Sequence, residues 1–101
     1  MAFKFNAYED VTFPAELELK NRVIELHIPS PSVEEYEDFV NRSRNPKDAR
    51  MLSVLVSDIL NLNCDGVQVE PSDLKPMKVN ALMAFINEFF IWIQQMREEK
   101  N

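Results

Sequence analysis

The chain has 101 residues, 46% of them hydrophobic and 28% charged, with 11 basic against 17 acidic groups and a formal net charge of −6. That length supports one domain with one modest core, and the acidic balance disfavours phosphate backbones and anionic lipid surfaces as partners. A single cysteine, Cys64, excludes an internal disulfide, the opening MAFKFNAYED lacks the apolar run of a leader, and no apolar run approaches the roughly 20 residues of a membrane span, so a cytoplasmic protein is expected.

The first third reads as strand and turn, starting with Phe3 and Phe5 in alternation. If Lys20 and Asn21 form a two-residue loop, Leu17 faces Ile24, Ala15 faces Leu26 and Phe13 faces Ile28, which puts every apolar partner on one side. Glu16, Glu18, Glu25 and His27 then point the other way. Pro14 lacks an amide hydrogen and fits an edge strand or a strand start.

Pro29 and Pro31 end the extended pairing, and Ser32 with Glu35 has the spacing of a capping box. A first helix runs from there to Arg44 with an apolar stripe of Val33, Tyr36, Phe39 and Val40. Its acidic residues Glu34, Glu35, Glu37 and Asp38 face water and suit the positive end of the helix dipole. The one basic cluster of the chain, Arg42, Arg44, Lys47 and Arg50 with Asp48 inside it, reads as a solvated connection between helices.

Asn45 as cap and Pro46 at the first helical position start a second helix, KDARMLSVLVSDILNL. Met51, Leu52, Val54, Leu55, Val56, Ile59, Leu60 and Leu62 make it mostly apolar, as suits a central element. Cys64, after this segment, reads as a small buried hydrophobe. Gly66, the only glycine, closes a turn at NCDGVQ, and VQVE has the character of a short strand that Pro71 ends.

The last helix is expected from near Pro76 to about Glu98, the longest element. At 100° per residue, Leu82, Phe85, Ile86, Phe89, Ile93 and Met96 fall within a band of roughly 100°, an ordinary core-facing stripe. Val79, Met83 and Phe90 widen it on one flank and Trp92 on the other, while Ile91 stands on the back among Asn87, Glu88, Gln94 and Gln95. Two readings account for the excess. Neighbouring elements of the same chain cover it, or a partner chain does; large apolar side chains left wet forgo roughly 1.5–3 kcal/mol each. Under the second reading the partner-binding residues are Met83, Phe90, Ile91, Trp92 and Met96, with Met77 adding adaptability.

No constellation spells out a reaction. His27 is the only histidine and has no nucleophile beside it in sequence. One His and one Cys with scattered carboxylates give neither a zinc pattern nor a calcium loop, and one glycine cannot build a phosphate-cradling loop. No catalytic residue, metal or cofactor is therefore expected. The elements together predict an α+β, mostly helical chain in one domain over 1–101: a β-hairpin region over about 3–28, then a three-helix, bundle-like core over about 32–98.

The succession of a hairpin through NRVIELHIPSPSVEEYEDFV, a leucine-rich middle helix and a late ALMAFINEFFIWIQQM helix resembles the small tail assembly chaperones of long-tailed bacteriophages and prophages, over most of the chain and through loose motifs. The resemblance implies a non-catalytic protein that coats the tape measure protein, helps the tail tube polymerise around it and leaves the finished virion, with the tail tube protein a further partner. It also implies a longer product made by ribosomal slippage: Glu99, Lys100 and Asn101 written GAA AAA AAC contain the slippery heptamer A AAA AAC. Two other classes remain open at this point, a homodimeric adaptor or antitoxin-like regulator and a small structural virion protein whose hairpin adds strands to a neighbour's sheet.

Overall fold

The computed structural model describes residues 2–3, 11–19, 22–44 and 49–99. Phe5, the Lys20–Asn21 loop and the expected Asn45–Pro46 cap lie outside the described residues. The elements are β1 (Thr12–Leu19), β2 (Arg22–Pro29), α1 (Val33–Arg44), α2 (Ala49–Leu60), α3 (Pro71–Leu74) and α4 (Val79–Glu99), an α+β, mostly helical fold with the hairpin first.

The hairpin has the register that its apolar alternation requires. Leu17 pairs with Ile24, Ala15 with Leu26 and Phe13 with Ile28, and on that face Leu17, Leu26 and Ile28 are buried. Pro14 pairs with His27. Antiparallel pairing turns alternate backbone groups outward, and His27 spends its own on a loop on the far side. Its amide donates to Asp65 Oδ2 at 2.7 Å, while its carbonyl accepts from the Cys64 amide at 2.9 Å. Pro14, opposite, thus faces outward, where its missing donor costs no ladder bond. The His27 imidazole Nδ1 lies 3.0 Å from Asp65 Oδ1, a second tie between β2 and the 64–65 turn.

The capping box forms as the spacing predicts: the Ser32 amide donates to Glu35 Oε1 at 2.8 Å, and the Glu35 amide to Ser32 Oγ at 3.2 Å. Phe39 is the buried anchor of α1, with Tyr36 and Val40 half-buried. Val33, expected on that stripe, is 76% exposed. It opens the helix, and a helical Cβ leans toward the N-terminus, so a first-position side chain covers space ahead of the packed turns.

α2 is the hub and packs on α1, α3, α4 and β2. Leu52, Leu55, Val56, Ile59 and Leu60 are buried. Ser53 and Ser57, also buried, are satisfied within the helix, each hydroxyl donating at 2.8 Å to the carbonyl three residues back.

Beyond α2 the structure corrects three expectations. VQVE pairs with no strand among the described residues. Two asparagine side chains serve it instead: Asn61 accepts from the Val69 amide at 2.7 Å and donates to the Val69 carbonyl at 2.9 Å, and Asn63 does the same for Val67 at 3.1 and 2.8 Å. The buried backbone is thus satisfied without a ladder, and Val69 is fully buried. Gly66 adopts φ +71°, the left-handed conformation that suits glycine in this turn. Cys64 is exposed, not buried, because its amide is committed to His27 and the turn carries its side chain outward. The last helix begins at Val79 and not near Pro76. Pro71–Leu74 forms a separate turn held by the Glu70 amide donating to Asp73 Oδ2 at 3.0 Å, and Pro76, with no amide hydrogen, cannot continue it.

Candidate partner-binding groove

α4 carries the apolar excess, and its two flanks meet different surroundings. Toward the hairpin, Phe13 of β1 stands edge-on to Phe85, Phe89 and Trp92, with ring centroids at 6.0, 5.7 and 5.6 Å. Phe85 and Trp92 lie nearly parallel to Phe89 on either side, at 6.1 and 5.8 Å. Edge-to-face and offset packing at these separations is favourable beyond area burial alone. Phe89 is fully buried at the centre.

On the other flank α4 does not close against its neighbours. A groove of about 460 Å³ runs between α4, the first half of α2 and the end of α1. Leu52, Leu55 and Ile86, all buried residues, form its floor, and Met51, Val79 and Met83 its rim. Met83 is 55% exposed, Val79 48% and Met51 38%. Phe90 lines the same groove and reaches Tyr36 of α1 edge-on at 5.7 Å. The apolar rim and floor are continuous across two helices, unlike scattered single exposures.

The polar lining is Arg42, Ser43 and Asn87. Arg42 is not the merely solvated residue that its cluster implied. Its Nη2 lies 2.8 Å from Asp38 and its Nη1 2.8 Å from Asp58, and its guanidinium sits 5.7 Å from the centre of the Phe39 ring. Two carboxylates and an aromatic face thus fix it between α1 and α2, with its buried Nε left without an acceptor. The Ser43 hydroxyl donates to the Val40 carbonyl at 2.8 Å. The lining therefore presents an arginine already held by two carboxylates, a committed hydroxyl and an amide around an apolar floor.

Of the side chains expected to bind a partner, Met83 and Phe90 come together in this groove. Ile91 is exposed at 37% on the polar back of α4. Trp92 belongs to the hairpin side, where its ring is half-buried against Phe13 and Phe89, and Met96 is half-buried near the helix end. Phe90 and Trp92 are both half-buried, and both rings pack on core residues. Sequence reasoning missed Met51 as a rim residue, because a wheel of α4 alone cannot show which neighbour stops short. It also missed Arg42 as a clamp, although Asp38 and Arg42 have the i, i+4 spacing of a helical ion pair.

Elsewhere, His27 Nε2 lies 3.6 Å from Glu25 Oε1. The His27 amide holds the Asp65 carboxyl below its ordinary range, with the imidazole hydrogen bond as a further cause. Among the described residues no group of three or more His, Cys, Asp or Glu is placed to hold a metal, and no helix is long and apolar enough to cross a membrane. No family model, curated protein or solved structure matches this chain.

Proposed function

We propose that this protein is a non-catalytic tail assembly chaperone of a long-tailed bacteriophage or prophage, acting in the host cytoplasm by binding the tape measure protein while the tail tube assembles. One observation supports the reading most: the groove between α2 and α4, where Met51, Val79 and Met83 remain exposed above a buried apolar floor. A small acidic domain gains from closing such a cleft, and this one leaves it open while it closes the opposite flank with Phe13. An open apolar cleft on a charged body suits a protein that holds an aggregation-prone partner and later releases it. The groove lining supplies contacts and no chemistry, in keeping with that role.

The test is co-expression with the product of the long reading frame downstream, followed by light scattering on the purified material. The large partner should be soluble only when many copies of this protein are bound. A compact complex of fixed ratio supports an antitoxin-like adaptor instead, and persistence in purified particles supports a virion component. A monomer that leaves the partner insoluble removes the proposal.

A further inference from the structure

The turn after α2 holds the one aspartate-glycine bond of the chain, between Asp65 and Gly66. The amides around it are committed: Cys64 donates to the His27 carbonyl at 2.9 Å, and Asp65 and Val67 donate to Asn63 Oδ1 at 3.0 and 3.1 Å. The Gly66 amide, between them, meets no acceptor among the described residues. Gly66 is exposed, and nothing lies within 4 Å of where a Cβ would stand. The Asp65 carboxyl is in the opposite condition. His27 holds both its oxygens, Oδ2 through the amide at 2.7 Å and Oδ1 through the imidazole at 3.0 Å, and bonds of this kind favour the ionised form.

We propose that the bond between Asp65 and Gly66 is a site of spontaneous backbone isomerisation, that the two His27 hydrogen bonds restrain it, and that conversion unties the turn from β2. The Gly66 nitrogen attacks Asp65 Cγ and forms the new N–C bond, while the carboxyl hydroxyl leaves with the amide proton as water. Water then opens the resulting cyclic imide at either carbonyl. Attack at Cγ restores aspartate; attack at the main-chain carbon leaves an isoaspartyl linkage with a free α-carboxyl. Nothing is oxidised or reduced, and the mass returns to its starting value. Glycine suits the nucleophile because no side chain hinders the ring, and the Gly66 amide has no hydrogen bond to give up. Asp38, Asp58 and Asp73 precede Phe39, Ile59 and Leu74, whose side chains crowd the same attack. An ionised carboxyl is a poor electrophile, and this one must leave His27 before Cγ can turn to the Gly66 nitrogen. The product carries an extra backbone methylene and a displaced carboxyl, so the His27 amide and imidazole lose their acceptor. None of this depends on what fills the groove.

The test is prolonged incubation of the full chain at neutral pH, native and in urea, followed by peptide mapping that separates isoaspartyl from aspartyl peptides of equal mass. Isoaspartate should form at Asp65 and at no other aspartate, and in urea roughly tenfold faster or more, because both hydrogen bonds to the carboxyl are then lost. His27→Phe removes the imidazole and keeps the amide, so the folded variant should convert roughly tenfold faster than folded wild type, the worth of one hydrogen bond to a charged group. His27→Asn, with an amide nitrogen close to the Nδ1 position, should stay near the wild-type rate. The purified isoaspartyl chain should exchange the Cys64 amide proton faster than the unmodified chain, since that proton bonds to His27. Absence of isoaspartate at Asp65 in urea overturns the site. Equal rates for native and unfolded wild type, a comparison that needs no variant, overturn the restraint, as does a His27→Phe rate equal to wild type. Unchanged Cys64 exchange in the isoaspartyl chain overturns the untying.

Discussion

The two flanks of α4 are built from similar side chains and end in opposite conditions. On the hairpin side, one residue of β1, Phe13, touches three aromatic rings and completes the core. On the other side, Met83 and Val79 face Met51 across a gap that no residue of the described chain fills. Apolarity along a helix therefore does not distinguish core from interface; what distinguishes them is whether another element of the same chain arrives. A substitution series that compares the flanks can break this contrast or sharpen it.

The largest effect is expected at Phe89, which is fully buried. Phe89→Ala should lower unfolding free energy by about 3–5 kcal/mol in urea titration, the usual range for a deleted core aromatic. Phe13→Ala removes the half-buried lid and should cost about 2–3 kcal/mol. Because Trp92 is the only tryptophan, the same variant should also red-shift the intrinsic fluorescence as its ring gains contact with water. An unshifted spectrum there means that the hairpin does not cover this flank.

Next comes the tie between β2 and the 64–65 turn. The folded-state carboxyl of Asp65 lies below its ordinary value of 3.8, chiefly through the His27 amide and then its imidazole. A depressed carboxyl contributes stability above the unfolded value that is lost as pH falls through the folded one. Wild type should therefore lose stability between pH 3.8 and its lowered value, and Asp65→Asn should flatten that part of the acid limb while it leaves the neutral pH plateau only slightly lower. Identical acid limbs for the two proteins contradict the tie.

The smallest stability effects belong to the open flank and the helix back. Met83→Lys and Ile91→Lys should each stay within about 0.5 kcal/mol of wild type, whereas Trp92→Lys, one position further on, should cost about 2 kcal/mol or more because its ring packs on Phe13 and Phe89. Thermal melts of the three variants rank them directly. Of the two lysine variants near zero, only Met83→Lys should also weaken partner binding.

Much of the fold was legible in the sequence because local rules sufficed there. Strict alternation left one register that buries Phe13, Ala15 and Leu17 together with their partners, and the Ser32–Glu35 spacing specified its own hydrogen bonds. What stayed hidden depended on elements distant in sequence. The VQVE segment reads as a strand by composition, yet it finds asparagine amides and no neighbouring strand. Trp92 reads as surplus on a helical wheel because Phe13, its cover, lies 79 positions earlier. Of the candidate site, the wheel gave Met83 and Phe90, whereas Met51 and the Arg42 clamp emerge only when α1, α2 and α4 are placed side by side.

The central claim, that the flank between α2 and α4 receives a partner while the hairpin flank is core, is best tested by methyl spectra of the methionines as a soluble segment of the co-expressed partner is titrated in. Met51 and Met83 line the groove, while Met77 and Met96 lie outside it. The account predicts that the Met51 and Met83 signals shift together and saturably while those of Met77 and Met96 stay in place. Movement of Met77 or Met96 with Met51 and Met83 unchanged would contradict it, because the binding surface would then lie away from the groove.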